Sequence, residues 1–454
     1  MTPPGNANPN AFSILKASEE AGSTPFLITS EGTFTYQAMA SRVKERVAKL
    51  PSSRLVALVG HASLEAVITL LALLETNTPF VAIHPRWTEL ERRRVLDESH
   101  PSHLFDNEKI ESLSLDRALS YREALPPSLL AVLYTSGTSG RSKGAMLSRD
   151  AFVLAAQASE ARLGWQAGDR WLLAMPLAHV GGLSIVLRCL LARKTVVLAP
   201  SGPFDAHAFI ATVNAQRVSI VSLVPTQLAL LVHASLRAPA HLRRVLLGGA
   251  ACPDSVLRRA SALGWRLFTT YGLTEACSQV TTSIDPVSNS YDGSGTPLTD
   301  VVVEIREGRV WVRSPSLMLG WLARDLPHPF DERGFYDTGD LGELDNKGRL
   351  HLLARRTDLI VTGGENVYPR EVEEAALQLE GIRDACVVGV PDELWGERVA
   401  LLYVGEERTV EALQESLRSK LASFKLPRIA KRIDALPVNS TGKLDRSKAR
   451  DLLA

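Results

Sequence analysis

Short apolar runs alternate with amphipathic stretches along much of the chain: residues 55–59, then 63–74, then 80–83. That order predicts parallel strands joined by crossover helices. It recurs at 195–198 followed by 205–216, and at 218–223 followed by 226–233. Between 301 and 313, period-two alternation on either side of Glu307-Gly308 predicts a hairpin of a smaller β subdomain. After residue 351 the texture changes. Arg355-Arg356 and the pair Gly363-Gly364 precede a Glu-rich helix opened by Pro369, strands at 385–390 and 399–404, a helix near 410–421 and a strand near 429–433. The pattern predicts an α/β protein: a large multi-layered α/β N-terminal domain over 1–353 with a β subdomain, a hinge at 354–357, and a small mobile α+β C-terminal domain over 358–454.

Composition narrows the function classes. The 454 residues exceed one ordinary core, and 51 Lys plus Arg nearly cancel 50 Asp plus Glu, so no basic excess points to nucleic acid or an anionic membrane. The strongest apolar stretch, 66–74, is interrupted by Thr69 and falls far short of the roughly 20 residues that span a bilayer. Residues 1–11 lack the basic and apolar regions of a signal peptide. Four scattered cysteines form no C-x-x-C pair, which argues against a zinc site or a disulfide framework. The expectation is a cytoplasmic enzyme without a transmembrane segment or nucleic-acid partner; its oligomeric state is not legible.

The strongest chemical signal is the run from Tyr134 to Gly144. It contains Thr135, Ser136, Gly137, Thr138 and Ser139, with Arg141 and Lys143 beyond, directly after the apolar residues 129–133. Glycines that free backbone N–H groups, clustered hydroxyls and positive charge suit a phosphate cradle. A flexible Ser/Gly loop has the same composition. A Walker loop needs a hydroxyl after its lysine, and here Gly144 follows Lys143. Thr274 beside Glu275, in Tyr271-Gly272-Leu273-Thr274-Glu275, sets a hydroxyl next to a carboxylate, the pair needed to hold a phosphate oxygen and a magnesium ion. Alone, Glu275 reads more readily as a surface carboxylate and Lys443 as a solvated lysine, Asp340 reads as a turn residue, and Gly248-Gly249-Ala250 and Gly363-Gly364 read equally as a strand-end turn and a tight turn.

Together these blocks resemble the adenylate-forming superfamily of acyl-CoA synthetases, luciferases and peptide-synthetase adenylation domains. The resemblance rests on the Tyr134–Gly144 loop, Tyr271 to Glu275, Tyr336-Asp337-Thr338-Gly339-Asp340, the segment 355–369, and Asn439-Ser440-Thr441-Gly442-Lys443. It implies ATP, Mg2+ and coenzyme A as cofactor and co-substrates. The loop from Thr135 to Lys143 then holds phosphates, Gly248, Gly249 and Ala250 line the adenine, and Tyr271 with Gly272 lies against it. Thr274 contacts the α-phosphate, Glu275 with Thr274 holds the metal, Asp340 and Arg355 take the ribose, and Lys443 serves adenylation. Gly363 and Gly364 line a pantetheine tunnel. The familiar neighbours of the ribose arginine are replaced by Ala354 and Thr357.

Within the superfamily, residues 176–187, 224–227, 271–279 and 358–369 resemble most the o-succinylbenzoate:CoA ligases of menaquinone synthesis. No Asp lies near residues 176–179 to hold an amino-acid amine, and eleven residues after Lys443 leave no room for a fused carrier domain. The resemblance makes Arg188 the partner of the acid's second carboxylate, Gln227 a further acid contact and His179 an aromatic gate. A snorkelling arginine and a packed core histidine are the plainer readings. The implied activity is an acid:CoA ligase. Ligation of another aryl or aliphatic acid, or an acyl-adenylate synthetase that loads a carrier protein, stays open.

Overall fold

The computed structural model describes residues 10–453 except 114–124, 137–141, 203, 250–251, 253, 288–291, 324, 355–358 and 438–445. The expectations for Gly137, Thr138, Ser139, Ala250, Arg355 and Lys443, and for the hinge from residue 355, therefore lie outside the described residues.

Among the described residues a seven-stranded and a nine-stranded sheet dominate the large unit. Val56–Val59, Phe80–Ile83, His103–Asp106 and Leu129–Ser136 run parallel in the first. Leu172, Val197, Val221, Val245 and Leu267 occupy successive parallel strands of the second. The largest core draws side chains from both sheets and from helices Leu64–Glu75 and Val180–Leu191. This explains why residues 64–75 carry almost no polar face: ten of the helix's twelve residues are buried, and Ser63 caps its start by accepting from the Ala66 N–H at 3.3 Å. A strand expected from 218 begins at Ile220, because Arg217 adopts a left-handed conformation and Val218 closes the preceding helix.

The predicted hairpin forms between Val302–Arg306 and Arg309–Arg313, with positive φ at both Glu307 and Gly308, as a two-residue turn matched to strand twist requires. It joins Tyr336–Leu344 and Leu350–Ala354 in a four-stranded sheet. From Ile360 onward a five-stranded sheet builds a separate core with helices Pro369–Leu377 and Val410–Leu417. The second helix stops short of the expected 421, because the chain turns there to bury Leu421, Ala422 and Lys425.

Candidate active site

The described residues on either side of the Ser/Thr/Gly run form paired strands. Leu129–Ser136 and Ser142–Ser148 pair antiparallel, with Tyr134 opposite Gly144 and Thr135 opposite Lys143. A strand follows the loop rather than a helix, so the Walker alternative, which seats phosphate on a helix N-terminus, is removed. Lys143 Nζ stands 5.3 Å over the Trp321 ring.

Two other blocks meet face to face. Strand Leu267–Leu273 runs into the single 3-10 turn Thr274–Ala276, closed by Cys277 in a left-handed conformation. Gly272 is required there, since a Cβ would stand 1.9 Å from the Ser278 carbonyl oxygen. Glu275 is buried, its carbonyl accepting from Met318 N–H at 2.7 Å and its Oε1 from the Tyr336 hydroxyl at 3.0 Å. In return, the Tyr271 hydroxyl donates to Asp340 Oδ2 at 2.6 Å. Asp340 follows a turn in which Gly339 has φ +71° and its N–H donates to Asp337 Oδ1. A buried carboxylate beside the Thr274 hydroxyl is an all-oxygen donor set, which fits magnesium. Gly248 packs on Thr270, and Gly249 takes φ +86° at the end of strand Arg244–Leu247.

The glycine pair lies where the two units touch. Gly363 and Gly364 have φ +60° and +80°; a Cβ on Gly363 would press the Trp395 ring at 2.9 Å, and one on Gly364 would meet Val224 Cγ2 at 2.7 Å. Next to them Glu365, buried in the small unit, is ion-paired with Arg86 and lies 3.3 Å from His179 Nε2, both residues of the large unit. His84 packs edge-on against His179 with centroids 5.0 Å apart. His84, His179 and Glu365 place three potential metal ligands within 4.8 Å. Their hydrogen bonds and charges suit an ion pair better than a metal. His84 Nδ1 accepts from the Arg86 N–H, so the proton sits on Nε2, the atom a metal would need, and the Arg86 guanidinium already neutralises Glu365.

A second contact between the units was not legible in sequence. Lys425 donates to Glu91 Oε1 of the large unit at 2.5 Å and to Glu371 Oε1 of its own unit at 2.7 Å, all three being shielded from water. Burial alone would lower the Lys425 pKa, but Glu371 and Glu91 outweigh it and hold it above the usual range; burial raises that of Glu371. Close by, a cavity of about 620 Å3 is lined by Arg86, Thr88, Arg418, Ser423, Leu426 and Arg428.

Helix Val180–Leu191 carries Arg188 inward, only 5% exposed. Its Nε and Nη2 have no hydrogen-bond partner among the described residues, and its guanidinium lies 5.7 Å from the Trp171 ring. Burial lowers its pKa to about 10, which leaves it charged at neutral pH. The snorkelling alternative is overturned, because the head group does not reach solvent. Gln227 has a local duty: its Oε1 accepts from the Val224 N–H at 3.2 Å and caps its own helix. His179 opens helix Val180–Leu191 without a side-chain cap, which leaves its ring at the unit boundary.

Comparison with known proteins gives this geometry a context. The family model described as AMP-binding enzyme matches residues 15–322, and its companion, AMP-binding enzyme C-terminal domain, matches 371–443. A 2-succinylbenzoate–CoA ligase of Lactococcus lactis subsp. lactis (strain IL1403) is 32% identical over 87% of this chain and 90% of its own. A double mutant of the o-succinylbenzoate CoA synthetase from Bacillus subtilis, bound with its product analogue OSB-NCoA, superposes with TM-score 0.87 at 28% identity, covering 98% of both chains. The same synthetase in complex with ATP and magnesium ion gives 0.67 at 27% identity, covering 96% of this chain and 98% of that one. At nearly equal coverage and identity, this chain superposes more closely on the product-analogue complex than on the complex with ATP and magnesium ion.

Proposed function

The chain belongs to the AMP-binding enzyme family, and from that membership we propose that it is an ATP-dependent ligase joining 2-succinylbenzoate to coenzyme A, with AMP and pyrophosphate as products. The reading includes a large unit over 1–353, a hinge at 354–357 and a small unit over 358–454. The use of ATP and CoA favours a cytoplasmic location; no helix among the described residues is long and apolar enough to cross a membrane.

A carboxylate is a poor acyl donor because its leaving group would be oxide. Attack of the acid's carboxylate oxygen on the α-phosphorus of ATP expels pyrophosphate and yields an acyl-AMP, whose leaving group is AMP. The CoA thiol then attacks the acyl carbonyl, loses its proton and displaces AMP. In this reading Lys443 and Thr274 meet the oxygens where charge builds in the first step. Glu275 and Thr274 hold magnesium, which supplies charge neutralisation on the phosphates. Asp340 and Arg355 take the ribose, and the 135–143 loop the phosphates. In the second step the Gly363-Gly364 backbone, pressed against Val224 and Trp395, borders the path of the thin pantetheine arm. The arginine-lined cavity beside it suits the CoA phosphates.

Arg188 carries the choice of acid. A buried guanidinium that has no hydrogen-bonded carboxylate among the described residues is costly unless a ligand completes it, and a dicarboxylic acid has one carboxylate to spare after activation. The test is thioester formation over a panel of aryl, aliphatic and dicarboxylic acids, with and without CoA, following AMP and acyl-CoA. Turnover of 2-succinylbenzoate well above benzoate-type monoacids is expected. Indifference to 2-succinylbenzoate sinks the acid assignment, and AMP release with no thioester sinks the CoA step.

A further inference from the structure

Tyr271 and Glu275 stand four residues apart in one block, and Tyr336 and Asp340 four apart in another. The two blocks exchange hydrogen bonds crosswise: Tyr271 donates to Asp340 Oδ2 at 2.6 Å, and Tyr336 donates to Glu275 Oε1 at 3.0 Å. We propose that this exchange is a cross-brace in which Tyr336 is the positioning residue for the metal-holding carboxylate of Glu275, and Tyr271 that for the ribose-holding carboxylate of Asp340.

The surroundings favour positioning over simple packing. Both tyrosine rings are buried, and Glu275 sits on one 3-10 turn only three residues long. Such a turn constrains its side chain weakly compared with a helix interior. Asp340 likewise follows a glycine with positive φ. Each carboxylate has two oxygens, and each phenol engages one, so the second oxygen of each is aimed by the bond to the first. Because each brace crosses to the other block, the metal position and the ribose position are held relative to one another. A nucleotide needs that spacing fixed, since its ribose and its phosphates are covalently joined.

The inference rests on the nucleotide-site assignments above, so the experiment reads wild-type behaviour first. Calorimetric binding of ATP and of 2′-deoxyATP is measured at a series of Mg2+ concentrations for wild type, Tyr336→Phe and Tyr271→Phe, without any acid. Phenylalanine keeps each ring and removes only the donor. A hydrogen bond to a charged group corresponds to about tenfold or more, and partial compensation by neighbouring groups leaves an expected effect of about three- to tenfold. Tyr336→Phe is expected to shift the Mg2+ dependence by that factor while keeping the ATP to 2′-deoxyATP ratio of wild type. Tyr271→Phe is expected to flatten that ratio while keeping the Mg2+ dependence. A uniform loss of both readouts in both variants means the hydroxyls serve folding alone and overturns the brace, as does wild-type behaviour of both variants. Wild-type protein that binds ATP without Mg2+ dependence overturns the nucleotide-site reading itself and the brace with it.

Discussion

Lys425 bonds across the boundary between the units to Glu91 at 2.5 Å, and Glu91 is itself held by the cap of its own helix. Glu91 Oε2 accepts from the Thr88 N–H at 2.8 Å, and the Thr88 hydroxyl accepts from the Glu91 N–H, so a capping box holds Oε1 toward the small unit. Removing one member of a buried charged group costs about 3–5 kcal/mol, because the partners stay buried and unpaired. Lys425→Met is therefore expected to slow the thioester half-reaction by about a hundredfold or more while leaving acyl-AMP formation within about twofold of wild type. The two half-reactions are separated by supplying acyl-AMP with CoA, or ATP with acid. Equal loss in both would take the pair out of the conformational step.

Gly364 is under two constraints at once, a φ of +80° and Val224 Cγ2 within 2.7 Å of where a Cβ would stand. A side chain in the left-handed region costs about 1–2 kcal/mol, and the contact adds to it only when the units meet as they do here. Gly364→Ala is expected to slow thioester formation by about tenfold or more and to spare adenylation. Adding Val224→Ala should recover part of the loss by removing both Cγ atoms. No recovery in the double variant would show that the contact with Val224 does not set the rate.

The parts of this molecule that were legible in sequence are those whose partners are close along the chain. The 302–313 hairpin is specified by alternation and the Glu307-Gly308 turn, and the parallel sheets by apolar runs at regular spacing. The Thr88-x-x-Glu91 cap was equally readable as a local device, yet its second use was not, because Lys425 lies 334 residues away. The same holds for Arg86, whose only local context is a His-Pro-Arg turn and whose partner Glu365 comes from the other unit. The Tyr336 bond to Glu275 joins two blocks that were each recognised, but register between blocks is set by tertiary packing. Gln227 shows the opposite case: its partner is only three residues away, and the helix cap it makes through Oε1 is a local device.

The boundary between the units should also respond to pH. Burial above all, with His179, Arg86, Lys425 and Arg92 adding, holds His84 at about 2, far below its ordinary 6.5. A depressed pKa in the joined arrangement means that its stabilising contribution is complete above about 6.5 and is lost as pH falls from there toward 2. Lowering pH from 7.5 to 5.5 is thus expected to slow thioester formation relative to adenylation, by at most about tenfold per pH unit for each proton taken up. His84→Gln should make that slope shallower. Parallel pH profiles for the two half-reactions would remove His84 from the boundary's energetics.

Arg188 yields the sharpest prediction about the acid. Its guanidinium is buried, charged and, among the described residues, without hydrogen-bond partners at Nε and Nη2, so a substrate carboxylate arriving there gains a charge-assisted bond and relieves an existing cost. Arg188→Met removes both and fills much of the same space. A hydrogen bond to a charged group contributes about 1.5–3 kcal/mol, so the KM for 2-succinylbenzoate should rise about ten- to a hundredfold or slightly more. The KM for ATP should change little, since the nucleotide residues lie on other elements. Selectivity should change in the opposite sense for monoacids. In wild type a benzoate-type acid leaves the guanidinium unpaired, a penalty that disappears with the arginine, so the variant should accept such acids relatively better. Rising KM for both acid classes alike would mean that Arg188 shapes the pocket without reading the second carboxylate.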